Sequence, residues 1–556
     1  MLSPSGWLAG AVVAIAAISY FAVRTKKKRD AARSRAAVWG RAQPRRGDFD
    51  QIARYHRMLV EEHAVRADAT LADQEWRDLG MDAVYDELDR TTGAPGQQVL
   101  YHRLRTPAHT DEELSDLGHF ESRIRRFSDD IALRERTQAA LARLTDSGTY
   151  SLPRLFLGQM PPKPRFARLF LPLALAPIAA IIAALCGVPH GWVIVLVLLS
   201  ANYVIRSMVA ADIAWIAQPV KSLHALLDVA DRFDRESKPG DSIEPTLRRL
   251  TSLRQLSAMT GFVDGGGDDV LRAAVDYLNM LFLVDVNVCM AALRVCERHR
   301  ADIRAVFEWV GNIDVALSIA SFRNGRADWC RPTILSRGSG ISATAAAHPL
   351  VTDARANDVS IQPGRGIVIT GSNMSGKTTL LRTLGVNALL AQSVHTCIAT
   401  RFACPPLVIR TAITTSDNIL AGESYYLAEA RNALDMLSAA TNVQCLFLVD
   451  ELFHGTNTTE RIAAGVAVME MLVDGTSMAV VATHDAEVVS LVANRYDAQH
   501  FTESVTDVGF EFDFSLRPGV ATSRNAVSLL GVLGAPDALV ERATQLCAQI
   551  ETGRQR

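Results

Sequence analysis

The most specific chemistry in the chain stands at Gly371-Ser372-Asn373-Met374-Ser375-Gly376-Lys377-Thr378, a complete G-x-x-x-x-G-K-[ST] segment. Gly371 and Gly376 let backbone amides close around phosphate oxygens, and a following helix adds its N-terminal dipole. Lys377 is placed to bridge β- and γ-phosphates, and the Thr378 hydroxyl to hold Mg²⁺. The residues before and after suit this role. Ile367-Val368-Ile369-Thr370 is a short β-branched run fit for a buried parallel strand, and Thr379 to Leu390 reads as a helix. The expected nucleotide-binding set is Gly371, Ser372, Asn373, Met374, Ser375, Gly376, Lys377, Thr378 and Thr379, with ATP and Mg²⁺ as ligands.

A second apolar strand, Cys445-Leu446-Phe447-Leu448-Val449, ends in Asp450-Glu451. Strand ends often carry solvated acids. Downstream of a phosphate-binding loop the pair reads as a metal contact (Asp450) and a general base for the attacking water (Glu451). A third strand, Met478 to Thr483, delivers His484 to the same edge, where an imidazole can donate to the γ-phosphate. Lys377, Glu451 and His484 form the expected catalytic set; Thr378 and Asp450 form the metal set.

The rest of the composition sets limits. A chain of 556 residues predicts two to four domains. A formal net charge of -2 advertises no global affinity for nucleic acid, although a local basic face can hide in that balance. The eight cysteines include no C-x-x-C pair, so neither zinc nor a dithiol motif is signalled, and a reducing compartment fits. Cys296 and His299 can share a helix face, but two ligands do not make a metal site, and ordinary packing is expected there.

Three apolar runs predict membrane spans. Trp7 to Val23 is followed at once by Arg24, Lys26, Lys27, Lys28 and Arg29, which places the N-terminus outside and the basic cluster in the cytoplasm. Charge after the apolar run argues against a cleaved secretory signal. Leu169 to Cys186 and Trp192 to Ile205 flank Gly187-Val188-Pro189-His190-Gly191, a hairpin with Lys163, Arg165, Arg168 and Arg206 on its cytoplasmic flanks. The other reading is a helical hairpin buried in a soluble core. Arg33, Arg35, Arg41 and Arg46 suit anionic lipid or topology more than non-specific phosphate contact.

With these residues in place, the sequence resembles the MutS family of DNA mismatch-repair ATPases. T-G-S-N-M-S-G-K-T-T resembles the MutS loop, with Asn373 and Met374 at the distinguishing places. Ser416-Asp417-Asn418-Ile419-Leu420-Ala421-Gly422-Glu423-Ser424 is similar to the family's signature segment, whose serine reaches across a dimer to the partner's γ-phosphate. The resemblance gives that role to Ser424. The usual Thr-Phe that follows is replaced by Tyr425-Tyr426, while Glu429 keeps the acidic place. His454-Gly455-Thr456-Asn457-Thr458 resembles the family's Gly-Thr-Ser-Thr turn. Ile313 to Ala320 and Trp329-Cys330-Arg331-Pro332 are similar to the helix entering the ATPase domain, and His348-Pro349 and Asn357-Asp358 to the short strands before the loop. Ala354-Arg355-Ala356 occupies ground where the family places an aromatic on adenine, with Arg355 as the candidate substitute. Phe510 to Phe514 alternates as an edge strand, and Ala526 to Ala543 resembles the dimerising helices. Leu88 to Gly96 and Leu104 to Pro107 are similar to the start of the MutS helical core.

The resemblance implies an α/β P-loop ATPase domain of the ABC-type MutS kind, preceded by an all-α core and lever domain, with three predicted transmembrane helices. The expected divisions are 1–30 anchor, 31–74 basic linker, 75–160 helical core, 165–208 transmembrane hairpin, 209–335 helical core and 336–556 ATPase domain with dimerising helices. No Phe-x-Glu wedge precedes the core, so base-pair interrogation by an intercalating phenylalanine is not expected. The implied function is a membrane-anchored, dimeric, MutS-like ATPase linked to DNA binding or repair. The plasma or inner membrane and DNA are its expected partners, with the ATPase domain in the cytoplasm. The alternative is a membrane motor or scaffold without mismatch recognition. A transporter fits poorly, because three spans make a poor pore and no Leu-Ser-Gly-Gly-Gln segment follows the loop.

Overall fold

The computed structural model describes residues 26, 30, 33–45, 47–66, 70–159, 167–237, 241–263, 277–279, 281–372, 375–413, 425–439, 443–453, 457–506, 509–520 and 534–554. The first predicted span, Trp7 to Val23, lies outside them, as do Asn373, Met374 and the signature segment ending at Ser424. The chain forms two units. One comprises Met1–Val65, Leu88–His102 and Phe120–Gly325; the other comprises Arg66–Glu87, Arg103–His119 and Arg326–Arg556.

The described elements of the first unit are helical. Its packing centre is the helix Arg300–Asn324, on which Ile303, Val306, Phe307 and Val310 are wholly buried. The buried Asp314 carboxylate on this helix accepts from Thr92 N (2.8 Å) and Gly93 N (2.7 Å), just before the helix that starts at Ala94. An anion there satisfies free N–H groups and complements the helix dipole. The approach is close: a Cβ on Gly96 would lie 2.3 Å from Asp314 Oδ2, so the Gly93-Ala94-Pro95-Gly96 run singled out in the sequence needs its second glycine. Arg323 and Glu121 form a buried ion pair at 2.7 Å in the same unit.

The predicted apolar hairpin is two helices, Phe170–Leu185 and Gly191–Glu236. The second is 46 residues long and continues past the apolar stretch through Pro219. After Arg206 the sequence shifts from uniformly apolar to amphipathic without a glycine, and a lone proline kinks rather than terminates such a helix. Two described segments are long and apolar enough to cross a membrane, and burial separates them. Arg300–Asn324 has 78% of its apolar window inside the protein and is a core helix; Gly191–Ala210 has 11% inside. Phe170–Leu185 passes the same apolar test but is shorter. Leu171, Leu175, Ile178, Ile182, Trp192, Ile194, Leu196 and Val197 on the hairpin are exposed. Its base is tied by polar contacts: Asn202 Nδ2 donates to Leu173 O and Leu281 O, and Arg206 pairs with Asp285 at 3.0 Å.

The second unit is α/β. Its strands are β1 (Trp329–Cys330), β2 (Thr333–Ile334), β3 (Ile341–Ala346), β4 (Asn357–Ile361), β5 (Gly366–Thr370), β6 (Cys397–Ile398), β7 (Arg401–Cys404), β8 (Val408–Ala412), β9 (Cys445–Asp450), β10 (Met478–Ala482), β11 (Tyr496–Thr506) and β12 (Gly509–Pro518). The main sheet has the order β12-β11-β5-β10-β9-β8, parallel except for β12. A smaller sheet, β2-β7-β3-β4, is mixed, and β1 pairs with β6. β5 and β10 are buried at every position and β9 at all but its last, as strands covered on both faces should be. The apolar layer behind them includes Phe447, Val449, Met469, Leu472, Val481 and Tyr496. His348-Pro349 lies in the loop after β3 rather than in a strand, since proline offers no N–H to a ladder.

The helix Lys377–Ser393 is buried along most of its length, and Asn387 is one of the polar side chains that hold it. Asn387, fully buried, donates from Nδ2 to Ala347 O (3.1 Å) and Thr383 O (2.9 Å) and accepts from Ile398 N at 2.6 Å. Asn387→Ala strands Ile398 N–H and Ala347 C=O, each costing about 1–3 kcal/mol when buried and unpaired. The expected result is a lowered thermal midpoint for this unit, followed by circular dichroism; an unchanged midpoint would show that Asn387 holds nothing.

Candidate nucleotide site

Register brings the predicted residues to one edge. Val481 sits opposite Val368 and Val449, and Ala482 opposite Ile369 and Asp450, so the three strands end level. The ladder continues a step further: Thr483 N donates to Ile369 O and Glu451 N to Ala482 O, both at 3.0 Å. Thr370, Asp450, Glu451, Thr483 and His484 therefore collect at the carboxyl ends of neighbouring parallel strands, where open α/β sheets hold ligands.

Beyond β5 the chain turns through a loop that ends at Gly376, whose φ of 106° is one that side-chain-bearing residues rarely adopt. A Cβ there would also stand 3.3 Å from the Phe514 ring. Lys377 opens the helix, and its Nζ donates to Gly371 O (2.9 Å) and Ser372 O (2.8 Å). The hydroxyls of Ser372 and Ser375 are buried and have no hydrogen-bond partner among the described residues. Thr378 Oγ1 donates to Asp450 Oδ2.

His484 Nε2 lies 2.9 Å from Glu451 Oε1 and 3.3 Å from Lys377 Nζ. A single ring nitrogen cannot donate to the carboxylate and accept from the ammonium at once. The shorter contact and the opposite charge make Nε2–H donor to Glu451, with Lys377 a close neighbour. Glu451 has φ 60° and Phe453 φ 60°, left-handed conformations held by the sheet edge, and strain of this kind gathers at functional sites.

Some neighbours were not picked out from sequence. Arg461, on the helix Thr458–Leu472, forks onto Asp485 beside His484, and the Asp485 hydrogen bond holds the guanidinium above its ordinary pKa. Asn457 caps that helix by accepting from Thr459 N. Phe514 is 45% exposed, stacks on Phe512 and carries φ 49°. The alternating phenylalanines announce a strand; nothing in the pattern announces which ring meets Gly376. Arg355 donates to Ser515 Oγ at 3.2 Å, and Asn357 bonds Phe514 O and Leu516 N. His348 is buried, which pushes its imidazole down to about 4 and keeps it neutral.

The oxygen donors Thr378 Oγ1 and Asp450 Oδ2 fit Mg²⁺, a hard ion usually held by one or two protein oxygens plus phosphate and water. Among the described residues no cluster of three or more His, Cys, Asp or Glu is placed to hold a metal ion.

A phosphate loop between a buried strand and its helix, with an acid pair and a histidine at adjacent strand ends, defines a P-loop ATPase domain. Residues 367–551 match MutS domain V, an ABC-type ATPase domain. Similar proteins include DNA mismatch repair protein MutS 2 of Haloarcula marismortui, 32% identical over 45% of this chain and 29% of that protein. DNA mismatch repair protein MutS of Natronomonas pharaonis is 32% identical over 50% of this chain and 33% of its own length. The Thermus thermophilus MutS is 30% identical over 48% and 32%. The chain spans about a third of the length of these relatives.

Proposed function

We propose that the chain binds and hydrolyses Mg-ATP as a homodimer, and that the cycle acts on DNA or a DNA-bound partner beside a membrane. The observation that carries this reading is the meeting of Lys377, the Thr378–Asp450 pair and the Glu451–His484 pair at one sheet edge.

A triphosphate offers Lys377 anionic oxygens in place of the two loop carbonyls it now engages, and charge-assisted bonds are the stronger ones. The buried Ser372 and Ser375 hydroxyls gain acceptors from the same phosphates. Gly371, Asn373, Met374, Gly376 and Thr379 complete the cradle. Thr378 and Asp450 would hold Mg²⁺, which would supply positive charge against the phosphates. Glu451 takes a proton from the attacking water as its oxygen bonds to the γ-phosphorus and the β–γ bridging oxygen leaves with ADP. His484, donating to Glu451, aims that carboxylate. Ser424 of the second subunit reaches the γ-phosphate. Arg355 stands in for the aromatic that the family places at 354–356, with the exposed Phe514 ring beside Gly376 as a further surface for the base. Glu451→Gln keeps the shape and removes the base. Turnover should fall by about 10²–10⁴-fold while binding of a fluorescent ATP analogue is retained; undiminished hydrolysis would take Glu451 out of this role.

The relatives' names support a DNA-linked role. Purified protein titrated with labelled duplex and branched DNA should bind at low salt and weaken as salt rises, as phosphate contacts require. Absence of binding at low salt would favour a motor or scaffold without DNA.

That second reading has its own observation, the exposed apolar hairpin. Phe170–Leu185 is about 24 Å long at 1.5 Å per residue, short of the roughly 30 Å of a bilayer core, and Gly191–Ala210 is long enough. We infer that the hairpin, with the 1–30 segment, anchors the chain in the cell membrane with the N-terminus outside and the ATPase domain cytoplasmic. Protein reconstituted in vesicles should resist alkaline extraction; full release into the wash would remove the anchor.

A further inference from the structure

We propose that Cys330 and Cys397 are a reversible redox pair, a site at which the ATPase unit takes up a disulfide. They stand directly opposite each other on the antiparallel β1–β6 ladder, where Trp329 faces Ile398 and Cys330 faces Cys397. Opposed residues on antiparallel strands share a face, with Cα atoms about 4.5 or 5.5 Å apart according to the kind of pair. Both spacings fall in the roughly 4.4–6.8 Å window of a disulfide.

The neighbouring hydrogen bonds decide which kind this is. Ile398 N–H goes to Asn387 Oδ1 and Ile398 C=O accepts from Ala347 N. Trp329–Ile398 is therefore the pair without mutual backbone bonds, and alternation makes Cys330–Cys397 the mutually bonded pair with the wider spacing. That spacing is close to the commonest one for a disulfide, so the link forms without moving either strand, and with Cys330 half-buried it belongs with the solvent-reachable disulfides that are readily reduced. Cys397 is buried and Cys330 half-buried, so an oxidant reaches Cys330 first.

Two of the other buried cysteines lack this arrangement. Cys289 and Cys296 lie seven residues apart on one helix, about 10 Å at 1.5 Å per residue, and burial pushes both thiols up to about 12.

With a small-molecule disulfide RSSR as oxidant, the Cys330 thiolate attacks one sulfur, forming Cys330–S–S–R and releasing RS⁻, which takes the proton Cys330 gave up. Cys397 then gives up its proton, its sulfur attacks that of Cys330, and the second RS⁻ leaves as RSH. Two protein thiols are oxidised and one RSSR is reduced to two RSH. The new bond joins the first strand of the Arg326–Arg556 segment to the strand that follows the Lys377–Ser393 helix. Cys397 Sγ already donates to Asn387 O at 3.3 Å, so the link fastens β1 to the strand that Asn387 holds. The closed loop contains the whole phosphate-binding turn and its helix.

The test uses the purified full-length chain with oxidised glutathione, followed by acid quenching, alkylation and peptide mapping by mass spectrometry. A Cys330–Cys397 cross-linked peptide pair, lighter by two hydrogen atoms, should form, vanish with dithiothreitol and be absent from C330S. The exposed Cys186 and Cys547 should carry simple glutathione adducts, which reports that the oxidant acted. C397A should stop at a glutathione adduct on Cys330. Free thiols at both positions while Cys186 and Cys547 are fully modified would overturn the proposal, as would a glutathione adduct that persists on Cys330 in the wild type.

Discussion

The parallel pairing of β5, β10 and β9 is the constraint on which the rest of the ATPase unit depends. Each strand alone offers the site one or two polar residues at its tip, and none of them is unusual by itself. Pairing in the observed register sets Ile369, Asp450 and Ala482 level. A slip of one residue would turn every side chain to the opposite face. Burial makes that slip expensive: Val368, Val449 and Val481 are almost completely excluded from water, and exposing such side chains costs about 1.5–3 kcal/mol each. The apolar body of the sheet thus fixes the polar edge, although it contains no reacting group.

The same economy applies to the helix behind the loop. Its N-terminus must face the phosphates, so its flank is pressed into the core, and the polar side chains on that flank need partners. Asn387 meets this demand twice over, taking β6 by its N–H and the loop after β3 by a carbonyl. Lys377 is buried at the head of the helix with its charge on two carbonyls, an arrangement adequate for the ammonium but weaker than an anion would provide. Glu451, in a left-handed conformation and held by a bond from its own N–H to Ala482 O, is strained and over-determined together. Both residues are kept by their surroundings in states they would not choose in isolation.

Legibility in the sequence followed the range of the interaction. The loop, its strand and its helix are contiguous, so spacing alone announces them. Asp450, Glu451 and His484 were legible because each ends an apolar run, and strand tips in a parallel sheet share an edge. Phe514 was not legible, since its place against Gly376 depends on the bulged pairing of β11 with β12 and on a positive φ that no local pattern reveals. Arg461 and Asp485 are 24 residues apart and meet only because a helix and a strand end side by side. The full length of the Gly191–Glu236 helix is not legible for a different reason: composition changes at Arg206 while the helix itself continues.

Composition also fails to separate the two apolar helices of the first unit, and here packing supplies the distinction. Arg300–Asn324 carries Asp314, Ser318 and Ser321, all buried and all bonded to elements around them, so its polar groups face protein on several sides. Gly191–Ala210 has one buried polar residue, Asn202, turned toward the partner arm and Leu281, while the large side chains point outward. Leaving such a surface in water would forfeit the burial free energy of a whole row of leucines, isoleucines and valines. Asn202 faces inward while the large apolar side chains face outward, the inverse of what water alone would select in a helix pair.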